Sequence, residues 1–218
     1  MIVFDIGANQ GNSGWKKLNM LTRDAEKLTK EDKVYAFEPT PWLVDRYLRV
    51  LERGAPDNYV VIPKAVSLEN GISDFYITSK RLGCSSLHTF HNDVPITWNS
   101  NHFNIHKTIK VETIRLDTFI TANKIKKIDY FHCDAQGGDL NVLKSLGAKI
   151  NIIEHGVVEG HHSEKLLYEG NNSISNIINF LEGSGFIVNS RDKLLNTDKK
   201  ELDIHFSKDG SRSNVYWS

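Results

Sequence analysis

The sequence predicts a doubly wound α/β fold whose mostly parallel, seven-stranded sheet carries one reversed strand. Short continuous apolar runs alternate with segments whose apolar residues recur at helical spacing, the pattern of strands covered by helices on both faces. Acidic or glycine-rich turns follow several of those runs. The last two runs are joined by a polar stretch, residues 189–201, with no helical apolar stripe, so they are expected to pair antiparallel.

Taken in order, Ile2 to Phe4 forms the first apolar run, and Trp15, Leu18, Leu21, Ala25 and Leu28 follow at helical spacing. Val34 to Phe37 is the second strand, and Thr40-Pro41 opens a helix carrying Leu43, Tyr47, Leu48 and Leu51, with proline in the first turn where its missing N–H costs nothing. Tyr59 to Ile62 is the third. Period-2 segments at Phe75-Tyr76-Ile77 and Ile109 to Ile114 predict a hairpin-type excursion. The stretch between them, residues 79–107, lacks clear periodicity and is long for a connection, which predicts a lid or substrate loop.

Strands follow at Ile128 to Cys133 and Gly156 to Val158, with a helix from Asp139 to Leu146 between them. Ile174, Ile177, Ile178 and Leu181 mark a helix over Ser173 to Leu181, ended by Gly183-Ser184-Gly185 ahead of strands at Phe186 to Val188 and Leu202 to Phe206. With 218 residues, one domain spanning residues 1–218 is expected.

Lys plus Arg and Asp plus Glu balance at 27 each, so the chain lacks the basic excess that draws a protein to nucleic acid or to an anionic membrane. Lys124, Lys126 and Lys127 are the densest basic cluster and fit a solvated edge. With neither a long apolar span nor a secretory layout, the expected location is the cytoplasm. Cys84 and Cys133 sit in unlike contexts, which argues against a disulfide and for Cys133 as a core residue.

In an open parallel sheet, ligands settle beyond the carboxyl ends of the strands. The candidates there are Asp5 to Gly11, Glu38, Asp134 and Glu159. Gly7 and Gly11 permit a tight turn and close approach of backbone to ligand, and Glu38 is placed to accept hydrogen bonds from a ribose diol. A dinucleotide loop needs glycine where Asn9 stands, and no phosphate-loop lysine follows Gly11, so an adenosyl ligand without phosphates fits better than a nicotinamide dinucleotide.

At this point the chain resembles the FkbM family of S-adenosylmethionine-dependent methyltransferases. FDIGANQG, VYAFEPTP at 34–41, VETIRLDTF at 111–119 and IDYFHCDAQGGDLNVLKSLG at 128–147 are similar to four family blocks in family order, with VVEG at 157–160 and LYEG at 167–170 beyond them. The resemblance implies a class I, Rossmann-like methyltransferase fold and S-adenosylmethionine as cofactor. It also implies methyl transfer to a hydroxyl of a sugar, glycan or secondary metabolite. By the same resemblance, Asp5, Gly7, Asn9 and Gly11 shape the methionine pocket and Glu38 holds the ribose. Ala65 borders the adenine, and Asp134 lies near the cofactor's amino group and the transferred methyl.

The chain departs from the family pattern at His132, where the family has lysine, and at Gln136 and Asp139, where it has glutamates. A cofactor-binding but catalytically degenerate domain is therefore an alternative reading. His132 and Asp134 are expected on the same side of the strand, so the missing lysine alters the charge beside Asp134. Candidate bases for the acceptor hydroxyl are Asp134, Glu159 and His161. Asp134 has a competing structural role as a helix N-cap.

His88, His91, His102, His106, His161 and His162 show no metal-ligand spacing, so no metal site is expected. Phe90, Trp98 and Phe103 in the long loop either stack on an acceptor or pack beneath the loop. Only Met1 precedes the first strand, so cover for the acceptor is expected from the 79–107 loop, from a second subunit, which would make a homo-oligomer, or from nowhere.

Overall fold

The computed structural model describes residues 1–9, 31–52, 58–79, 82–99, 103–170 and 172–210. The strands are β1 (Ile2–Ile6), β2 (Lys33–Phe37), β3 (Tyr59–Ile62), β4 (Ala65–Val66), β5 (Gly71–Thr78), β6 (Ile105–Ile114), β7 (Ile128–Cys133), β8 (Ile153–His161), β9 (Ile187–Val188) and β10 (Glu201–Ser207). The described helices are α1 (Pro41–Leu51), α2 (Val94–Thr97), α3 (Leu116–Ala122), α4 (Asp139–Ser145), α5 (Ile174–Gly183) and α6 (Arg191–Leu195). Gly11 and the expected helix over residues 15–28 lie outside the described residues.

Seven strands form the main sheet in the order β3-β2-β1-β7-β8-β10-β9. Pairing is parallel from β3 to β8, and β10 runs antiparallel to both of its neighbours. The expected single reversed strand is thus β10. The strand order turns back between β1 and β7, so the loops leaving these two strands diverge and open a crevice at their carboxyl ends.

The strands read as unbroken apolar runs because both faces are covered. Phe4, Ile6, Phe131 and Cys133 face a core completed by Leu140, Leu143, Ile177 and Ile178 from α4 and α5. Val3, Val34, Ala36, Tyr130 and Val157 pack on the other side with Tyr47 of α1. Phe119 of α3 meets Phe4, Tyr35 and Phe37 edge-on or nearly so, at centroid distances of 5.9, 5.2 and 5.0 Å. That geometry favours aromatic pairs beyond simple burial. Ser173 caps α5, accepting from the Asn176 N–H, and removing such a cap costs about 1 kcal/mol.

The excursion predicted between the third and fourth main strands is a second sheet, ordered β4-β6-β5, with β5 and β6 antiparallel. Here β6 starts at Ile105 rather than at 109, so the last residues assigned to the loop belong to a strand. The remainder contains a 3-10 turn at Leu82–Cys84 and the short α2. Backbone bridges Tyr76–Ser86 and Phe90–Tyr168 tie it down.

Two further boundaries differ. β8 continues to His161 because β10 supplies partners along its whole length, from Glu201 opposite His161 to Ser207 opposite His155. The polar 189–201 connection holds α6, whose single buried residue, Leu194, is too little to make an apolar stripe. Among the described residues, no helix is long and apolar enough to cross a membrane.

Candidate active site

The loops leaving β1, β2 and β7 meet through their backbones. The N–H groups of Gly7 and Ala8 both donate to the Phe37 carbonyl at 3.1 Å, and the Asp134 N–H donates to the Ile6 carbonyl at 3.0 Å. Gly7 has φ +78°, and a Cβ there would lie 2.0 Å from the Asp134 carbonyl oxygen. Only glycine lets the two loops touch, which is the physical content of the first glycine in the motif.

Asn9 also takes a left-handed conformation, φ 53°. Its N–H donates to Glu38 Oε2 at 2.7 Å, while the Thr40 N–H donates to Glu38 Oε1 at 2.8 Å. Glu38 is buried, 4% exposed, and both carboxylate oxygens are held by main chain with lone pairs to spare. Burial pushes its carboxyl above the ordinary range, and the Thr40 and Asn9 bonds oppose that rise.

A cleft opens beside this carboxylate. It is lined by the apolar side chains of Leu43, Ala65, Val66, Phe75 and Leu87 and by Gly7, Asn9, Asp134 and Gln136. Gly83, Ser85 and Leu87, from the long connection expected to be a lid or substrate loop, form part of the wall. Ala65, Glu38, Asn9 and Asp134 are brought together in this one cleft. The buried Asn9 Oδ1 has no hydrogen-bond partner among the described residues, so the cleft that Asn9 lines has an acceptor ready for a ligand's donor. These residues fit an adenosyl cofactor.

Asp5 sits elsewhere. It is 2% exposed within β1, is not among the cleft-lining residues, and its Oδ1 lies 2.7 Å from His132 Nδ1. Because Asp5 and His132 are register partners across β1 and β7, the imidazole standing at the family's lysine position serves Asp5. The expectation that it sets the charge beside Asp134 is corrected accordingly. Asp134 follows the end of β7 and has left the strand's alternation.

Asp134 is not the cap of α4 either. That position belongs to Gly138, without a side-chain bond. Asp139 organises the turn instead, its Oδ1 accepting from the Ala135 N–H at 2.8 Å and the Cys133 thiol at 3.2 Å, and its Oδ2 from Asn172 Nδ2 at 3.1 Å. Burial, then the Asp134 carboxylate, pushes Asp139 up to about 7. Cys133 is the core thiol expected, and burial and Asp139 raise its pKa.

Gln136 joins the catalytic candidates. Its Nε2 donates to Asp134 Oδ1 and, at 3.3 Å, to Glu159 Oε2. Its Oε1 lies 2.7 Å from the Tyr168 hydroxyl, which is also 2.9 Å from the Cys84 carbonyl, so one phenolic proton faces two acceptors. Gly137, φ +91°, has no room for a side chain, since a Cβ would lie 2.6 Å from Tyr168. Burial and then the Asp134 carboxylate raise the Glu159 pKa. His161 is 1% exposed, and burial pushes its imidazole down to about 4, so it is neutral at pH 7.

Sequence reasoning missed the bridging role of Gln136, the part played by Tyr168, and Glu201, which antiparallel pairing sets opposite His161. The loop aromatics pack beneath the lid: Phe90 stacks on Tyr168 at 5.3 Å, and Trp98 meets Phe103 edge-on at 5.5 Å. His102 lies outside the described residues. The lysine cluster is an edge, with Lys127 paired to Asp129 at 2.9 Å.

A mostly parallel seven-stranded sheet with one reversed strand, flanked by helices and opening a cleft at its switch point, is the class I methyltransferase fold. The chain belongs to the FkbM methyltransferase family: the family model described as "Methyltransferase FkbM domain" matches residues 5–188. It is 24% identical over 186 residues to the 2-O-methyltransferase NoeI of Sinorhizobium fredii, covering 83% of this chain and 70% of that protein. In structure it is similar to the FkbM methyltransferase of Methylobacillus flagellatus, with a TM-score of 0.53 at 11% identity over 94% of this chain. The chain spans 42% of that protein's length.

Proposed function

We propose that the protein is an S-adenosylmethionine-dependent O-methyltransferase acting on a hydroxyl of a sugar, a glycan or a secondary metabolite. The observation that carries the cofactor assignment is the buried Glu38 carboxylate, pinned by the Asn9 and Thr40 N–H groups at the end of β2. Two adjacent hydroxyls are the donors it suits. The choice of a hydroxyl acceptor, and of oxygen as the atom methylated, is supported by the likeness to NoeI.

When bound, the cofactor supplies a methyl group activated on a sulfonium. The chain's residues do the rest. Leu43, Ala65, Val66, Phe75 and Leu87 take up the adenine, and Gly7, Asn9 and the Asp134 loop hold the methionine part. Asp134, kept in place by Gln136, would accept the proton of the acceptor hydroxyl. Glu159 and His161 face the acceptor from β8. The lid excludes water, and aligning the two reactants supplies much of the rate.

Titration calorimetry with S-adenosylmethionine and, separately, NAD, followed by labelled-methyl transfer to a panel of hydroxyl acceptors, tests the proposal. Glu38→Ala should weaken cofactor binding by about 10- to 100-fold, the value of hydrogen bonds to a charged group. Asp134→Ala should reduce turnover roughly 100-fold or more. Binding of NAD but not S-adenosylmethionine, or indifference to both substitutions, would overturn it.

A further inference from the structure

Beyond the cofactor cleft, β8 and β10 place a second group of donors on one face of the sheet. Glu159 and His161 are two residues apart in β8 and so point the same way. Glu201 of β10 is the register partner of His161, and Asp203 is the partner of Glu159. One donor atom from each of Glu159, His161 and Glu201 lies within 4.8 Å of the others.

The imidazole supplies the second, independent observation. His161 is 1% exposed, and its Nε2 has no hydrogen-bond partner among the described residues. That nitrogen lies 3.9 Å from Glu201 Oε2, too far for a hydrogen bond and aimed into the carboxylates. A buried ring nitrogen without a partner is costly, so a group that accepts its lone pair is what the position calls for. Trp98, 6.1 Å from His161 between ring centroids, and Tyr168, at 5.8 Å, close the other sides. Lys200 has its ammonium over the Trp98 ring at 5.2 Å.

We propose that Glu159, His161 and Glu201 form a divalent transition-metal site, of the Zn²⁺ or Mn²⁺ kind, on the acceptor side of the cleft. The donor set decides the class: an imidazole with carboxylates suits borderline ions, whereas Mg²⁺ and Ca²⁺ take oxygen alone and thiolate-seeking ions lack sulfur here. Ligand bonds of about 2.0–2.2 Å bring donors to roughly 3.4 Å from one another. Closing from at most 4.8 Å asks for a shift of about an ångström, which Glu201, with 53% of its side chain exposed, can make.

Three protein ligands leave a coordination position open. Glu159 is linked through Gln136 to Asp134, which lines the cofactor cleft, so the open position faces an acceptor. An oxygen-rich acceptor with neighbouring hydroxyls is the substrate such an ion would hold. This last point rests on the proposed methyltransferase reading. The metal site itself does not.

The test uses the full chain, stripped with chelator. Zn²⁺ affinity is measured by competition with a chromophoric chelator, and Mn²⁺ binding by loss of the free-ion electron paramagnetic resonance signal. A single stoichiometric site is expected. Glu201→Gln, a substitution at a half-exposed position, should weaken it at least about tenfold, as should His161→Gln. His106→Gln, in exposed β6, should leave it unchanged. Absence of stoichiometric binding, or equal affinity in wild type, Glu201→Gln and His161→Gln, would overturn the site.

Calorimetry with S-adenosylmethionine on the same metal-free samples separates the two proposals. Cofactor binding without metal binding removes only the metal site. Metal binding without cofactor binding removes only the methyltransferase reading.

Discussion

Asp139→Asn should make the stability of this protein cross that of the wild type as pH changes. Asp139 is fully buried, and burial together with the Asp134 carboxylate lifts its pKa from 3.8 to about 7. The folded state therefore keeps a proton that the unfolded chain gives up near pH 4. A raised carboxyl contributes stability that is fully present below the unfolded value and is lost as pH rises toward the folded one. A difference of about 3 pH units corresponds to roughly 4 kcal/mol at 1.36 kcal/mol per unit.

The amide cannot ionise, so it escapes that loss. It also turns a donor toward Asn172 Nδ2, which now donates to Asp139 Oδ2, and one mismatched buried bond costs about 1–3 kcal/mol. Below pH 4 the variant should be less stable than the wild type by that amount. Near pH 8 it should be more stable by about 1–3 kcal/mol, the balance of the two figures. Urea unfolding at half-unit steps from pH 4 to 8.5 measures the difference directly. A wild-type minus variant difference that stays constant across that range would refute the buried, proton-holding carboxyl.

Three further substitutions probe the cleft and its supports. Gly7→Ala places a methyl 2.0 Å from the Asp134 carbonyl oxygen, so calorimetry should show cofactor affinity falling more than about tenfold while the fold persists in circular dichroism, because backbone cannot swing aside as a side chain does. His132→Leu strips the partner from buried Asp5 and should cost about 3–5 kcal/mol in urea unfolding at pH 7; a loss below 1 kcal/mol would mean the pair is unimportant. Gly137→Ala drives Tyr168 from its place, which should lower turnover more than cofactor affinity, since Tyr168 contacts Gln136 and the lid rather than Glu38.

The sheet was legible because its strands are buried on both faces and bounded by turn residues, so Phe4, Phe37 and Phe131 announce them without homologues. Strand ends were less legible. Glu159 and His161 look like loop residues after Val158, and only the antiparallel partner β10, some 40 positions later, keeps them in a strand. Glu38 and the Gly7 turn could be found because each satisfies a local rule about strand ends and backbone approach. Asp139 and His132 could not, since their roles depend on which neighbour wins a hydrogen bond, Ala135 and Cys133 in one case and Asp5 in the other. The 79–107 segment stood out by its lack of periodicity, and its anchoring through Phe90 and Tyr168 came from packing alone.

The position of β10 also governs the order in which the molecule can assemble. It lies between β8 and β9, so β9 has no other strand to join in this sheet until β10 exists. Short-range pairing closes faster than long-range pairing, which favours β9 and β10 meeting first as a hairpin and then docking on β8 as a unit. Docking is the step that carries Glu201 to His161. Truncation ahead of Glu201 should therefore remove two strands rather than one, and should leave the part of the cleft built from β1, β2 and β7 to be judged without the partner of His161.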